Sequence, residues 1–466
     1  MGGEVMKTVI LGTVSVLALA SAAPALAQNN SSTVIQAGTG DQATVNQPGS
    51  GNTSVVDQNG TPTGVDGIAN EATINQEGTD GYSEATQVGD NQLTLTQSAT
   101  SDGMNSEVFQ ENAGGGTSNA AAVTQNGAGS GFGSGTGSFI DQGGTNGSIT
   151  VLQDVGTTDA VSVVVQRDQN QTANVTQSAG VNVTSFVEQE ENTQTATVNQ
   201  TGDDNFSDVF QSQRQNDAFV LQSATGNSST IIQDGELGDV DVDQTGADNT
   251  SFVDQDDNMD RGIIDINQTG SGNTSNAFQD DDDSTITHNQ NGTNSLADTD
   301  QQSEDSTSTI TQTGDMNTAT VVQGAVSDDQ VSTITQAGDR NTATVVRQGS
   351  DASGPLDDGN VSTITQTGND NTGSIEQVAS LSTHTLVQTG SLNSSTTVMG
   401  DVTPNASPLP SGSEAVVMQI GDSNVSNITA SASNSDVFVD QVGNGNGADK
   451  RTEAGVFALL CEWVSE

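Results

Sequence analysis

The chain has 466 residues and a formal net charge of -52, with 30% hydrophobic and 3% aromatic residues and 53 glycines. Too little bulky apolar material is present for a conventional globular core. Nucleic-acid binding, which needs a basic surface to displace counterions, is excluded: between Gln28 and Asp449 there is no Lys and only five Arg, against 56 Asp plus Glu.

The N-terminus reads as a processing segment. Lys7 precedes the apolar run TVILGTVSVLALA, and Ala25-Leu26-Ala27 forms a small-x-small cleavage site, so residues 1–27 are expected to be a signal peptide and the mature chain to begin near Gln28. Met6 offers an alternative start. No later apolar run has the length of a membrane helix. The single Cys461 cannot pair within the chain, so disulfides play no part in the expected fold.

From 28 to 447 the glutamines mark a repeat. Gln200, Gln211, Gln222, Gln233, Gln244 and Gln255 are each eleven residues apart, and the series resumes at Gln268, Gln279, Gln290, Gln301, Gln312 and Gln323. Alternate glutamines differ, because Gln244, Gln268, Gln290, Gln312, Gln336, Gln366 and Gln388 are followed by x-Gly whereas most of the others are not. The unit is therefore about 22 residues, two strands and two turns. Met399 and Ala430 stand where the spacing expects Gln. Departures cluster at expected loop insertions near 59–70, 112–137, 349–360 and 401–413, which hold Pro62, Pro355, Pro404, Pro408 and Pro410.

Within a unit the residues alternate. Ser308, Ile310 and Gln312 interleave with Thr309 and Thr311, and after Gly314 the set Asn317, Ala319, Val321 and Gln323 interleaves with Thr318, Thr320 and Val322. Period two places one set on each face of a strand. A lone strand-turn-strand rung cannot bury its inner face, but stacked rungs can, giving an all-β solenoid of about sixteen rungs in two stacked parallel sheets. Identical inward amides repeating at about 4.8 Å can then bond to one another in ladders. Gly314, Gly338 and Gly368 are expected to supply the positive φ of a sharp turn.

The pattern Ser-x-x-x-Gln-x-Gly-x-x-Asn-x-Ala-x-Val-x-Gln at Ser308–Gln323 resembles the curlin repeat of the curli major and minor subunits, secreted bacterial proteins that assemble into extracellular amyloid fibres. The resemblance is strongest from about Gln189 to Gln388. It implies inward ladders of Ser308, Gln312, Asn317 and Gln323, of Ser332, Gln336 and Asn341, and of Ser362, Gln366, Asn371 and Gln377. It further implies self-association into cell-surface fibres, a curli-type outer-membrane secretion channel and a nucleating subunit as partners, and a role in biofilm matrix and adhesion. Curli subunits are shorter and less acidic than this chain.

No catalytic constellation or cofactor motif is visible, and a non-enzymatic protein is expected. His288 and His384 are solitary and read as ordinary strand residues. The run GAGSGFGSGTGS at 127–138 lacks a phosphate-binding fingerprint and reads as a loop. Asp254-x-Asp256-x-Asn258 begins like a calcium loop, but Met259 replaces the turn glycine and Asp265 the bidentate glutamate. Asp280 and Asp282 occupy the equivalent turn one rung on, so these four carboxylates are candidates either for divalent-cation binding or for plain solvation. Outward Thr pairs such as Thr309/Thr311 raise an ice-binding alternative, although the ranks break at Phe219 and Phe252. A monomeric surface adhesin on a solenoid stalk is the other. The tail 448–466 fits no repeat and is expected to be a capping strand, a short helix or an unselected extension.

Overall fold

The computed structural model describes residues 29–38, 40–59, 70–98, 102–112, 118–127, 137–256, 261–324, 328–347, 359–378, 381–400, 412–431, 435–452 and 458–463. The expected signal peptide lies outside these residues, as does most of each expected insertion. The described residues contain thirty-six strands and no helix, and the fold is a parallel β-solenoid. It comprises two units, residues 1–231 and 232–466.

In the first unit a front sheet begins with Ser31–Gln36 and Thr53–Gln58, and a back sheet with Gln42–Asn46 and Glu71–Gln76. Every strand pairs in parallel with its equivalent one rung away, and like residues meet: Val34, Val56, Ala85 and Val108 form one row, Val45, Ile74, Leu95 and Val123 another. The β-branched residues sit on a pleated surface that suits them. Their inward faces are buried rung after rung, except in the first described rung, where the burial alternates only between exposed and half-buried.

The second unit repeats the arrangement, its front sheet running from Thr250–Gln255 to Gly447–Thr452 and its back sheet from Asp239–Gln244 to Ala458–Trp463. Ile310, Ile334, Ile364 and Leu386 stack in register behind a facing row of Val321, Val345 and Ile375, and all are fully buried. This two-row seam is the whole thickness of the core.

Two expectations change. The stretch 112–137 is not one insertion, because Asn119–Gln125 is a strand that pairs with Asn91–Gln97 and Ser148–Gln153, and Gly137 and Ser138 open the strand Gly137–Gln142. Its three alanines and Gly-rich flanks hide a regular alternation in which Asn119, Ala121, Val123 and Gln125 are buried. The tail also continues the solenoid rather than leaving it: Gly447–Thr452 pairs with Val425–Ala430, and Ala458–Trp463 pairs in parallel with the strand Asp436–Val442. Of the offered readings, the described part of the tail is strand, at Gly447–Thr452 and Ala458–Trp463.

Candidate functional site: the interior amide ladders

Most of the glutamines that mark the repeat end the inward face of their strands, and their side chains reach the glutamine of the next rung. In the back sheet of the second unit Gln312 Nε2 donates to Gln336 Oε1 at 2.9 Å, Gln336 to Gln366 at 2.8 Å and Gln366 to Gln388 at 2.8 Å. The file runs unbroken from Gln244 to Gln441. In the first unit the front file runs from Gln36 to Gln211 and the back file from Gln47 to Gln222.

A second donation fixes each amide's orientation. Gln312 Nε2 also donates to Leu296 O at 2.8 Å, and Gln336 and Gln366 donate to Thr318 O and Thr342 O. With one N–H on a backbone carbonyl of the facing strand and the other on the next glutamine, both donors of a buried amide are used and its oxygen accepts from the rung before.

The asparagines form a mixed ladder. Asn317 Oδ1 accepts the backbone N–H of Asn341 at 3.0 Å, and Asn341 Oδ1 accepts that of Asn371 at 3.0 Å. Asn317 Nδ2 donates to Gly338 O at 2.7 Å, and Asn341 and Asn371 donate to the glycine carbonyls of Gly368 and Gly390. These asparagines therefore clamp the turns as well as the strands.

The turn glycines are required for two reasons. Gly314, Gly338 and Gly368 have φ of 104, 114 and 107°. A Cβ on Gly314 would lie 2.4 Å from Gly338 O, and one on Gly338 2.3 Å from Gly368 O, so side-chain carbon is barred by the next rung's backbone. The same turns hold a second left-handed residue that sequence reasoning missed, at Met316, Arg340 and Asp370 with φ of 56–58°. Only the frequent Asp and Asn at that place hinted at it.

Ser308, Ser332 and Ser362 are buried as expected but form no ladder. Ser308 Oγ lies 3.1 Å from Thr299 Oγ1, Ser332 Oγ accepts from Gln323 Nε2 at 3.2 Å, and Ser362 Oγ donates to Gln377 Oε1 at 2.7 Å. A hydroxyl one carbon from the backbone spans the gap between strands less readily than an amide does, and these three bond across the core instead. In the first unit Ser54, Ser83, Ser106 and Ser138 stack in register and their hydroxyls reach no protein partner.

Gln323 and Gln377 depart from the ladder for another reason. The residue in register between them is Arg347, and beyond Gln377 come Met399 and Ala430, so the front file of the second unit stops at Gln323. Gln377 is buried and donates to Val361 O and Ser382 O.

Both histidines are core residues. His288 occupies the isoleucine row, in register with Ile266 and Ile310, and lies 2.7 Å from Ser275 Oγ and 2.8 Å from Thr299 Oγ1. His384 takes the row of Ser362, and neither ring nitrogen has a protein partner. Complete burial pushes each imidazole down to about 3, so both are neutral near pH 7.

The acidic candidates are dispersed. Asp254 is an outward residue of the strand Thr250–Gln255, not of a turn, and Asp256, Asp280 and Asp282 follow strands of successive rungs. Burial, then Asp256, Asp234 and Asp280, raise the Asp254 carboxyl above its usual range. Asp257 and Asn258 lie outside the described residues. Among the described residues no group of three or more His, Cys, Asp or Glu is placed to hold a metal ion. No described helix is long and apolar enough to cross a membrane.

Fold and interior together define a class, a parallel β-solenoid held from within by amide files. Neither protein-family models nor curated proteins return a match to the chain.

Proposed function

We propose that this is a secreted structural protein that polymerises by adding rungs end to end, forming curli-like fibres of an extracellular matrix. The observation that carries the reading is the continuity of the buried amide files, most of all Gln244 to Gln441, in a chain of 466 residues with few bulky apolar groups. A file of this kind has no intrinsic end: any rung that offers in-register amides and a free parallel edge extends it. The first described rung has these features, since its inward Val34 and Gln36 are only half-buried and, among the described residues, the oxygens of Gln36 and Gln47 accept from no donor. The resemblance to the curlin repeat supports the same reading and brings with it export through an outer-membrane channel, a nucleating partner and a cell-surface location.

Purified protein lacking residues 1–27 should raise thioflavin fluorescence with a lag, and aligned fibres should diffract at about 4.8 Å along the fibre axis. Protein that stays monomeric over days, at high concentration and with seeds, overturns the reading. It leaves the surface adhesin, which the self-repulsion of a chain at -52 favours.

A further inference from the structure

The outer faces of the two sheets of the first unit differ in chemistry. On the back sheet the outward residues of Ser148–Gln153, Thr172–Ser178 and Thr195–Thr201 are Ser, Thr and Asn apart from Leu152, and the next strand, Asp217–Ser223, adds outward Phe219 and Leu221. On the front sheet of the same rungs Phe139, Val163 and Phe186 stand in register outward, with Val165 and Phe210 two positions along. Phe186 and Phe206 pack with ring centroids 6.0 Å apart at 55°. Phe186 remains 37% exposed, as does Phe109 one rung below Phe139. Cross-strand aromatic pairs stabilise a sheet, and Phe186 with Phe206 makes such a contact while the Phe186 ring stays partly open to solvent. A contiguous apolar patch rimmed by polar and charged residues is the mark of a docking surface.

Acids frame the patch. Glu107 is in register with Phe139, Asp141 with Val165, and Asp208 with Phe186, while Glu188 lies between Val165 and Phe210. Arg167, 3.1 Å from Glu188 and 3.8 Å from Glu190, and Arg214 in the turn after Gln211 are the cations beside these strands, fewer than the acids around them. A second copy would bring the same acids against these, so like charge disfavours it.

We propose that the outer front face from Gly137–Gln142 to Phe206–Gln211 is a docking surface for a cationic, apolar polypeptide segment of another protein, its apolar side chains on the phenylalanine–valine patch and its Lys or Arg on the flanking carboxylates. This goes beyond polymerisation, since it uses the side of the rungs and not their ends.

The test uses full-length mature protein, freshly prepared and monomeric, and fluorescence anisotropy with three labelled peptides: alternating Leu and Lys, alternating Ser and Lys, and alternating Leu and Glu. The Leu–Lys peptide should bind about tenfold or more tighter than either control, and the double variant V163T/F186T should lose about tenfold of that affinity while T172S/T195S on the back sheet loses none. Thr is a strand former, and far-UV circular dichroism checks that each variant stays folded. E188Q/D208N should weaken binding and flatten its salt dependence. Equal binding of the Ser–Lys peptide, equal binding of the Leu–Glu peptide, or an unchanged V163T/F186T overturns the proposal. So does a lateral dimer in sedimentation that V163T/F186T abolishes, which would give the face to a second copy. Failure to form fibres bears on the proposed function alone and leaves this binding measurement intact.

Discussion

His288 Nδ1 lies 2.7 Å from Ser275 Oγ in the core, whereas His384, equally buried, has no protein partner for either nitrogen. The two histidines therefore respond to substitution with opposite signs. His288→Leu strands the Ser275 hydroxyl, leaves Thr299 only its contact with Ser308 and should cost roughly 1–3 kcal/mol, while His384→Leu removes two unpaired polar atoms at similar volume and should be neutral or stabilising by about 1 kcal/mol. Urea midpoints of the two variants check this.

Both imidazoles also set a pH dependence. Their folded value, about 3, is below the unfolded 6.5, so the unfolded chain takes up protons first. The stability that comes from keeping them neutral is complete above 6.5 and falls steadily as pH drops towards 3, by roughly 2 kcal/mol per histidine at pH 5. Denaturation midpoints measured at pH 7 and 5 should show this loss, and the double His→Leu variant should show much less of it.

Gln312 makes three bonds that one substitution removes. Gln312→Leu leaves Gln336 Oε1 without its donor and takes one bond each from Leu296 O and from Gln290 Nε2, which keeps Thr274 O and Ser295 O, and should destabilise by roughly 2–3 kcal/mol, with slowed fibre growth. Outward Thr309→Ser should stay within about 0.5 kcal/mol of the parent and grow fibres at its rate. Equal effects of the two would sink the ladder account.

Glycine turns separate steric from conformational cost. Gly338→Ala places a Cβ against Gly368 O at φ of 114° and should cost roughly 3 kcal/mol. Gly445 has φ of 71° and nothing within 4 Å of a built Cβ, so Gly445→Ala should cost only about 1 kcal/mol, and Gly445→Asn less. Thermal melts of the three variants rank the two terms.

Rungs stack like charges. The Asp254 carboxyl is raised by burial and by Asp256, Asp234 and Asp280, and that of Asp241 by burial and by Asp265, Asp243 and Asp239. For such groups the folded form binds the proton more tightly, so their contribution is most favourable below the unfolded value and is lost as pH rises through the folded one. Assembly lag should shorten as pH falls from 7 to 4, and at neutral pH as salt is added. Calcium should shorten the lag more than sodium does at matched ionic strength only where the acidic turns coordinate it. Lag times in the two salts decide it, and a specific calcium effect would restore the acidic turns as a site.

Much of this was legible in the sequence because a solenoid repeats one local rule. Gln312, Asn317 and Gly314 recur at fixed spacing because each must meet its own copy about 4.8 Å away, so period two and the glutamine count were enough to give strands, inward faces and the amide files. The sequence did not determine what happens across the core, where partners come from different places in the repeat. That Ser362 bonds Gln377 and not Ser332, and that His288 is held by Ser275 and Thr299, depends on which strands face each other in three dimensions. The strand Asn119–Gln125 was hidden because alanine carries a weak strand signal, and its neighbours above and below supply the pairing that its own side chains do not advertise. Register alone put Arg347 in a glutamine's place and gathered Phe139, Val163 and Phe186 on one outer face, because residues more than twenty positions apart become neighbours only once the rungs stack.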